Sequence, residues 1–287
     1  MLTVLEIIKK TTDFLAGKKV ESPRLSAEWL VGHALGLRRM QLYMQFERLL
    51  SEPELEKIRP LVRRRAAREP LQYILGETEF CGLKLKCDRR ALIPRPETEY
   101  LVELILARFV PTAPANVLDL GTGTGALALA LAQALPTAQV TAVDASPDAL
   151  ALALENAEST GLTGRVTLRV SDWFTAVPPG ERFDLIVSNP PYLSGEDVAA
   201  AMPEVRDFEP HLALIGSDGG SGDLQKILRD AVNWLVPGGL IALETGSEQP
   251  ASLRIVAQAA GFEAFESKTD LTGRDRYVFA RWRPPAA

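Results

Sequence analysis

Cysteine and histidine are scarce in this chain, with two of each among 287 residues. Cys81, Cys87, His33 and His211 are scattered in a way that matches no usual structural zinc spacing, so no metal site is expected. Two cysteines also exclude a disulfide-dense secreted scaffold. Cys81 and Cys87 are near enough in sequence to bridge, but reduced thiols are the expectation for a chain without a secretion signal. Long hydrophobic runs are missing too. The longest, Ala126 to Leu135, is broken by Gln133 and stops at Pro136, too short for a membrane span. The start, Met1-Leu2-Thr3-Val4-Leu5-Glu6, has an early acid and no basic segment, so it is not expected to be a signal peptide. A cytoplasmic, monomeric protein is expected. A net charge of −5 and a pI near 5.3 argue against direct nucleic-acid binding. That total hides an asymmetry. Residues 1–75 carry 14 Lys and Arg against 9 Asp and Glu, while the remainder carries 18 against 28. The basic front leaves room for an acidic partner, or is a solvated helix face.

What is present centres on Ser188-Asn189-Pro190-Pro191-Tyr192. It follows an apolar run, Phe183–Val187, that reads as a buried strand. Two prolines end a strand, since neither has an N–H to donate. Asn189 and Pro190 therefore stand rigidly at a strand's carboxyl end, where open α/β sheets bind ligands. The Asn189 side-chain oxygen and the Pro190 carbonyl are two fixed acceptors. A planar –NH2 group has two protons to give them, which aims its nitrogen lone pair outward. Tyr192 offers an aromatic face for that planar group. The plain alternative is a proline-rich turn.

Residues 3–69 read as helices. Val4, Leu5, Ile7, Ile8, Phe14 and Leu15 follow helical spacing up to Gly17. Ser22-Pro23 opens a second helix with Leu25, Trp29, Leu30 and Leu35 on its apolar face, closed by Gly36. A short segment spans Arg39 to Phe46. Ser51 and Glu54 form a capping box for a fourth helix, with Leu55, Ile58, Leu61 and Val62 inward. Pro60 is expected to kink or split it. Leu83, Leu85 and Cys87 then alternate with Lys84, Lys86 and Asp88, which predicts a β-hairpin turning near Gly82. From about residue 90 the pattern is strand, helix, strand. Strands are expected at 115–120, 139–143, 166–170, 183–187, 239–244, 264–267 and 277–282, with helices such as 125–135 and 147–160 between them. This is an α/β, Rossmann-like, seven-stranded, mostly parallel sheet whose last strand runs antiparallel. The expected division is a helical-bundle domain at 1–70, a hairpin linker at 71–90 and a catalytic domain at 91–287.

Asp119-Leu120-Gly121-Thr122-Gly123-Thr124-Gly125 is a strand end, a glycine loop and a helix start. Asp144 ends the next strand, 21 residues past Gly123, where an acid reaches ribose hydroxyls. Gly121, Gly123 and Ala126 also fit the dinucleotide fingerprint, so a nicotinamide cofactor competes. Against it, Asp119 repels a pyrophosphate and attracts a cation, and Asn189–Tyr192 have no task in hydride transfer. S-adenosylmethionine fits both points. Asp144 has a second reading as a helix-start acid. Asp172 is placed to accept an adenine amino group, and Trp173 either packs on that ring or fills the core.

These residues resemble the HemK/PrmC family, protein-(glutamine-N5) methyltransferases of peptide chain release factors. The matching stretches are Pro70–Gly76, Ile93–Glu99, Asp119–Gly125, Asp172–Phe174, Ser188–Tyr192, Phe208–Pro210, Leu212–Leu214 and Asp218–Gly220. The resemblance implies that Asn189, Pro190 and Tyr192 are catalytic and that Asn189, Pro190, Pro191 and Tyr192 hold the glutamine of a Gly-Gly-Gln motif. It implies cofactor contacts from Gly121, Thr122, Gly123, Thr124, Gly125, Asp144, Trp173 and Asn189, and a substrate-recruiting helical domain. Glu244-Thr245-Gly246 stands where the family has an acid followed by Ile-Gly. Arg95, Glu97 and Glu99 read either as an ion-paired helix start or as residues shaping the site. His211 reads as structural. Two other functions remain open: an adenine-N6 nucleic-acid methyltransferase, and a non-catalytic protein that retains the cofactor pocket.

Overall fold

The computed structural model describes residues 2–109 and 112–284. It divides into two compact units, Met1–Gly76 with Met202–Phe208, and Glu77–Ala201 with Glu209–Ala287. Residues 71–76 of the expected hairpin linker thus pack with the helices, and its hairpin packs with the sheet.

The first unit holds α1 (Val4–Gly17), α2 (Pro23–Leu35), α3 (Arg39–Met44), α4 (Glu52–Ala66) and α5 (Leu71–Leu75). A capping box starts α1, with Thr3 and Glu6 bonding each other's backbone N–H. The expected box at α4 is also present, Glu54 accepting from the Ser51 N–H at 2.9 Å. Helix α4 runs unbroken through Pro60, so the expected split does not occur. Pro60 and Glu56 are both exposed, so the carbonyl that loses its partner faces water.

Helix α2 departs from its expected face. Leu25 and Trp29 are exposed, while Ser26, Ala27, Glu28, Leu30 and Val31 are buried. Glu28 is tolerated there because Arg24 Nε (2.9 Å), Arg39 Nε (2.6 Å) and the Tyr43 hydroxyl (3.0 Å) all donate to it. Burial raises its carboxyl pKa, but these donors outweigh burial and leave it below the ordinary value. Ser22 adopts left-handed geometry and makes no side-chain cap, so Pro23 alone sets the helix start. In the same unit α10 (Pro203–Arg206) presents Glu204 to Arg65 (2.9 Å) and Arg68 (2.7 Å). Arg64 bonds Glu69. The arginine run is therefore largely paired rather than a solvated face.

The second unit opens with the hairpin β1 (Glu77–Phe80) and β2 (Leu83–Lys86). Cys81 and Gly82 both take positive φ at its two-residue turn. Both cysteines are free, as expected. Then come α6 (Pro96–Arg108), β3 (Asn116–Leu120), α7 (Ala126–Ala134), β4 (Gln139–Asp144), α8 (Pro147–Thr160), β5 (Val166–Val170), β6 (Phe183–Ser188), α9 (Gly195–Ala200), α11 (Gly222–Ala231), β7 (Leu235–Glu244), α12 (Pro250–Ala259), β8 (Phe262–Thr269) and β9 (Asp275–Trp282). The sheet order is β5-β4-β3-β6-β7-β9-β8. Strand β9 pairs antiparallel with both neighbours, and the other pairings are parallel. Strand β7 begins earlier than expected, and its pairing with β6 shifts register across Pro237-Gly238-Gly239.

Period-two alternation divides the core between the two sheet faces. Val117, Leu185, Val187 and Ala142 pack with α6 and α7 on one face. Leu118, Leu120, Ile186 and Val143 pack with α11 and α12 on the other. The chain moves outward from β3 to β5, then returns to the opposite side of β3 as β6. This switch point opens a crevice at the carboxyl ends of β3, β4 and β6.

Candidate active site

That crevice holds a cavity of about 460 Å³, within the usual range for a small-molecule site. Gly121, Thr122, Gly123, Thr124, Asp144, Asp172, Trp173, Asn189 and Pro191 all line it. The structure thus brings together most residues that the sequence singled out. The loop Arg90–Arg95, Thr98, Leu127, Ser146, Leu212, Ala213 and Ile215 also line it.

The glycine loop is shaped by its own hydrogen bonds. Gly121 and Gly123 take φ of 71° and 55°, favoured for glycine alone. A β-carbon at Gly121 would also stand 3.5 Å from the Trp173 ring, so the ring packs directly over the loop. Trp173 itself has φ 49°, a strained value for a bulky residue. The Ser171 hydroxyl holds it there by donating to the Trp173 carbonyl at 2.7 Å. Asp144 accepts from the Gly123 N–H (2.8 Å) and the Ser146 N–H (2.9 Å). It therefore ties loop to helix start, and each oxygen keeps lone pairs for a ligand. Burial raises its pKa against the pull of those bonds. Asp172 is exposed at the rim, with Lys226 Nζ 3.4 Å away.

Asp119 is placed differently from expectation. It shares the sheet face of Val117, toward α7, and is not part of the cavity wall. Its Oδ2 accepts from the Thr122 hydroxyl (2.6 Å) and the Ala128 N–H (3.2 Å), beneath the loop. Its Oδ1 is buried without a partner. Desolvation pushes its pKa up to about 7. Gly125 also lies outside the wall, as the left-handed cap of α7.

At the other end, Asn189 Nδ2 donates to the Thr98 hydroxyl at 3.2 Å. Among the described residues, nothing donates to Asn189 Oδ1 or to the Pro190 carbonyl. Pro190 is buried and, like Tyr192, does not line the cavity. The Tyr192 hydroxyl donates to Glu244 (3.1 Å) and accepts from Arg276 Nη1 (3.1 Å). Its ring packs on the core behind the site, with the Arg276 guanidinium 5.7 Å from its centroid. Tyr192 therefore braces the turn rather than offering a free ring to the cavity. Burial and the Glu244 charge drive its pKa upward. The turn is also braced through its backbone. A β-carbon on Gly216 would come within 2.4 Å of the Pro191 carbonyl, and one on Gly220 within 2.4 Å of the Tyr192 carbonyl. Gln249 Nε2 donates to the Tyr192 and Gly220 carbonyls, each at 3.0 Å.

Arg95 lines the cavity and pairs with buried Glu209 at 2.6 Å. Glu99 accepts from the Cys81 N–H, and the Glu97 carbonyl accepts from the Tyr277 hydroxyl. The Arg95–Glu99 run is thus both an ion-paired helix start and, at Arg95 and Thr98, a wall of the site. Sequence reading gave no individual role to Thr98, Glu244 or Asn156. Asn156 Nδ2 donates to the carbonyls of Thr124 (2.9 Å) and Lys86 (3.2 Å), tying the glycine loop to the hairpin. Its signal was a polar residue on the buried face of α8, at four-residue spacing from Leu152.

The cavity fits S-adenosylmethionine. Glycines permit close approach, Asp144 keeps free acceptors, and the unpartnered Asp119 Oδ1 lies beneath the loop, negative when ionised. Among the described residues no acid, histidine and cysteine cluster suits a metal. No described helix is long and apolar enough to cross a membrane.

Comparison with known proteins agrees with this chemistry. Residues 6–76 match the PrmC N-terminal domain, and residues 98–207 match the methyltransferase small domain. A release factor glutamine methyltransferase of Geobacter sulfurreducens is 46% identical over 97% of this chain and 96% of its own length. A protein of the same name from Deinococcus radiodurans is 42% identical over 96% of this chain and 97% of its own. Among solved structures, a 16S rRNA N2 G1207 methyltransferase of T. thermophilus, in complex with AdoMet and guanosine, superposes with a TM-score of 0.54. It is 24% identical, and the match covers 72% of this chain and 50% of that one. That likeness is one of fold.

Proposed function

The chain belongs to the release factor glutamine methyltransferases, and from that premise we propose that Asn189 and the Pro190 carbonyl hold the side-chain amide of a release-factor glutamine for methylation. The enzyme is an S-adenosylmethionine-dependent protein-(glutamine-N5) methyltransferase. Its substrate is the glutamine in the Gly-Gly-Gln motif of peptide chain release factors.

The observation that carries the residue assignment is the polarity of the Asn189 contact. Its Nδ2 is spent on Thr98, so its oxygen is left as an acceptor, and no described group donates to the Pro190 carbonyl. Each acceptor takes one N–H of the substrate amide, which turns the nitrogen lone pair into the cavity. An amide nitrogen is a weak nucleophile because that lone pair is delocalised. Orientation and exclusion of water must therefore supply much of the rate. Pro191, Leu212 and Ile215 furnish apolar wall at this end. When bound, S-adenosylmethionine supplies an electrophilic methyl group on a positively charged sulfur. Asp144 is assigned its ribose hydroxyls, Asp172 and Trp173 its adenine, and Gly121–Thr124 its close backbone contacts. Asp119 acts at second hand, by fixing the loop and, once ionised, adding negative charge beneath it. No strong base is assigned, since the amide proton is acidified once the methyl has arrived and then leaves to water. The helical region, residues 1–70, recruits the protein substrate through its positive charge, and the enzyme acts as a cytoplasmic monomer.

The adenine-N6 reading uses the same acceptor pair on an exocyclic amine. Transfer of labelled methyl groups to release factor and to DNA, run in parallel, separates the two. Release factor is expected to be labelled and DNA not; faster labelling of DNA overturns the glutamine reading.

A further inference from the structure

The Asn189 amide has two possible orientations, and only one presents an acceptor to a substrate –NH2. A chain of buried groups selects between them. Glu244, at the carboxyl end of β7, is 1% exposed. Its Oε2 accepts the Thr98 hydroxyl proton at 2.7 Å. Its Oε1 accepts the Tyr192 hydroxyl proton at 3.1 Å. Arg276 only donates, so its bond to the Tyr192 oxygen leaves the Tyr192 proton for Glu244. A threonine hydroxyl has one proton. With Glu244 ionised and that proton committed to it, the Thr98 oxygen is able only to accept from Asn189, at 3.2 Å. The amide nitrogen must then face Thr98, and the amide oxygen is left over.

We propose that Glu244 is a positioning residue that acts through Thr98 to lock Asn189 with its oxygen toward the substrate amide. The inference rests on the reading of Asn189 as the substrate's acceptor. It explains why an acid ends a strand whose other inner residues are apolar. It also explains why Thr98, in the first turn of α6, is 5% exposed yet polar. A glutamine at position 244 would be able to donate to Thr98. The Thr98 proton would then be free to turn toward Asn189 and draw its oxygen away from the cavity.

The test compares Thr98→Val, Thr98→Ser, Glu244→Gln and Asn189→Ala in the full-length enzyme. The readouts are kcat and KM with release factor, S-adenosylmethionine affinity by calorimetry, and thermal unfolding. Thr98→Val keeps the shape and removes the hydroxyl. It is expected to lower kcat by about 10- to 100-fold, the scale of a misplaced reacting group. KM for release factor and cofactor affinity should move by no more than about threefold, a range in which no contact has been lost. Thr98→Ser restores the hydroxyl and should recover most of the lost rate, and Glu244→Gln should lose as much as Thr98→Val. The decisive arm is the double variant. If Thr98 works through Asn189, then Asn189→Ala with Thr98→Val is no slower than Asn189→Ala alone. A Thr98→Val enzyme within about twofold of the parent kcat overturns the relay, since a misoriented acceptor costs more than that. So does a double variant slowed by the product of the two single effects. If Asn189→Ala itself keeps its rate, the acceptor reading falls and the relay with it, which separates the two failures.

Discussion

Two sets of buried carboxylates, one in each unit, are held in opposite ways. In the helical unit, Glu28 and Glu204 are each met by two arginines, and their pKa values fall below the ordinary range although burial alone would raise them. In the sheet unit, Asp119, Asp144 and Glu244, none of them in an arginine ion pair among the described residues, are raised, with desolvation the largest cause for each; Glu209 is raised too, although Arg95 pairs with it. Arginine-paired acids tie helices together and are satisfied as they stand. Acids held mainly by hydroxyl and backbone donors keep unused acceptor capacity, which is what a site needs. Substitutions in the sheet unit should therefore change rate or binding, and those in the helical unit should change stability.

The largest expected effect is at Asn189. Asn189→Ala should lower kcat by about 10²–10³, the scale for one preorganised polar contact at a reacting centre, with no change in unfolding temperature. Asn189→Asp should do less harm, since a carboxylate still offers an acceptor there. Steady-state kinetics beside a thermal melt decides this. Equal losses in rate and stability would erase the contrast between the units. Next is Asp144→Ala. It removes the acceptor of two backbone N–H groups and the acceptor assigned above to the ribose hydroxyls, so cofactor affinity by calorimetry should weaken about tenfold or more. Unchanged affinity would remove Asp144 from the cofactor site.

In the helical unit, Glu28→Ala should cost about 1–2 kcal/mol, at the low end for charged hydrogen bonds because Arg24 and Arg39 are half-exposed and screened. Cofactor affinity should not follow it. Acid sharpens the contrast. Glu28 and Glu204 have native pKa values below their unfolded ones, so their stabilisation is present above about pH 4.5 and is lost as pH falls through the native values. Asp119, raised to about 7 from 3.8, has the opposite sign. The native state then holds the proton that the unfolded state releases, so its contribution declines as pH rises from about 4 to 7. Hydrogen exchange of the ligand-free protein should show residues 4–75 loosening below pH 4.5. After correction for the intrinsic exchange rate, the strands at 116–188 should be better protected at pH 5 than at pH 7.5. Uniform loosening of both units on acidification would contradict the assignment. The smallest effect concerns recruitment. Reversing Arg64 or Arg65 would break structural pairs with Glu69 or Glu204, so the charge test falls to exposed Arg63. Arg63→Glu should raise KM for release factor a few-fold at low salt and leave cofactor affinity alone. An unchanged KM makes Arg63 a solvated side chain only.

Legibility in the sequence divides along the same line. The sheet and its ligand end were readable because apolar strands stop at glycine, proline or an acid, and each stop falls at the switch point. Glycine spacing and the interval to Asp144 carried the cofactor reading. What escaped depended on partners distant in sequence. Nothing near Glu28 shows that Arg39 and Tyr43 fold over it, so helical periodicity put Trp29 inward in its place. Asp119 looked like a cavity residue because it precedes the glycines, but strand alternation turns it toward α7. Thr98 and Glu244 are 146 residues apart, and only their contact gives either one meaning. Tyr192 was legible as important, and its role as a brace was not.

The acceptor pair is assigned to the –NH2 group of a glutamine. The direct measurement is mass mapping of the methyl group after reaction with release factor carrying either Gln or Glu in its Gly-Gly-Gln motif. Glutamate has no –NH2 to fill the two acceptors. One methyl is expected on that glutamine in the parent protein and none at that site in the Glu variant. A methyl at that site in the Glu variant would contradict that assignment.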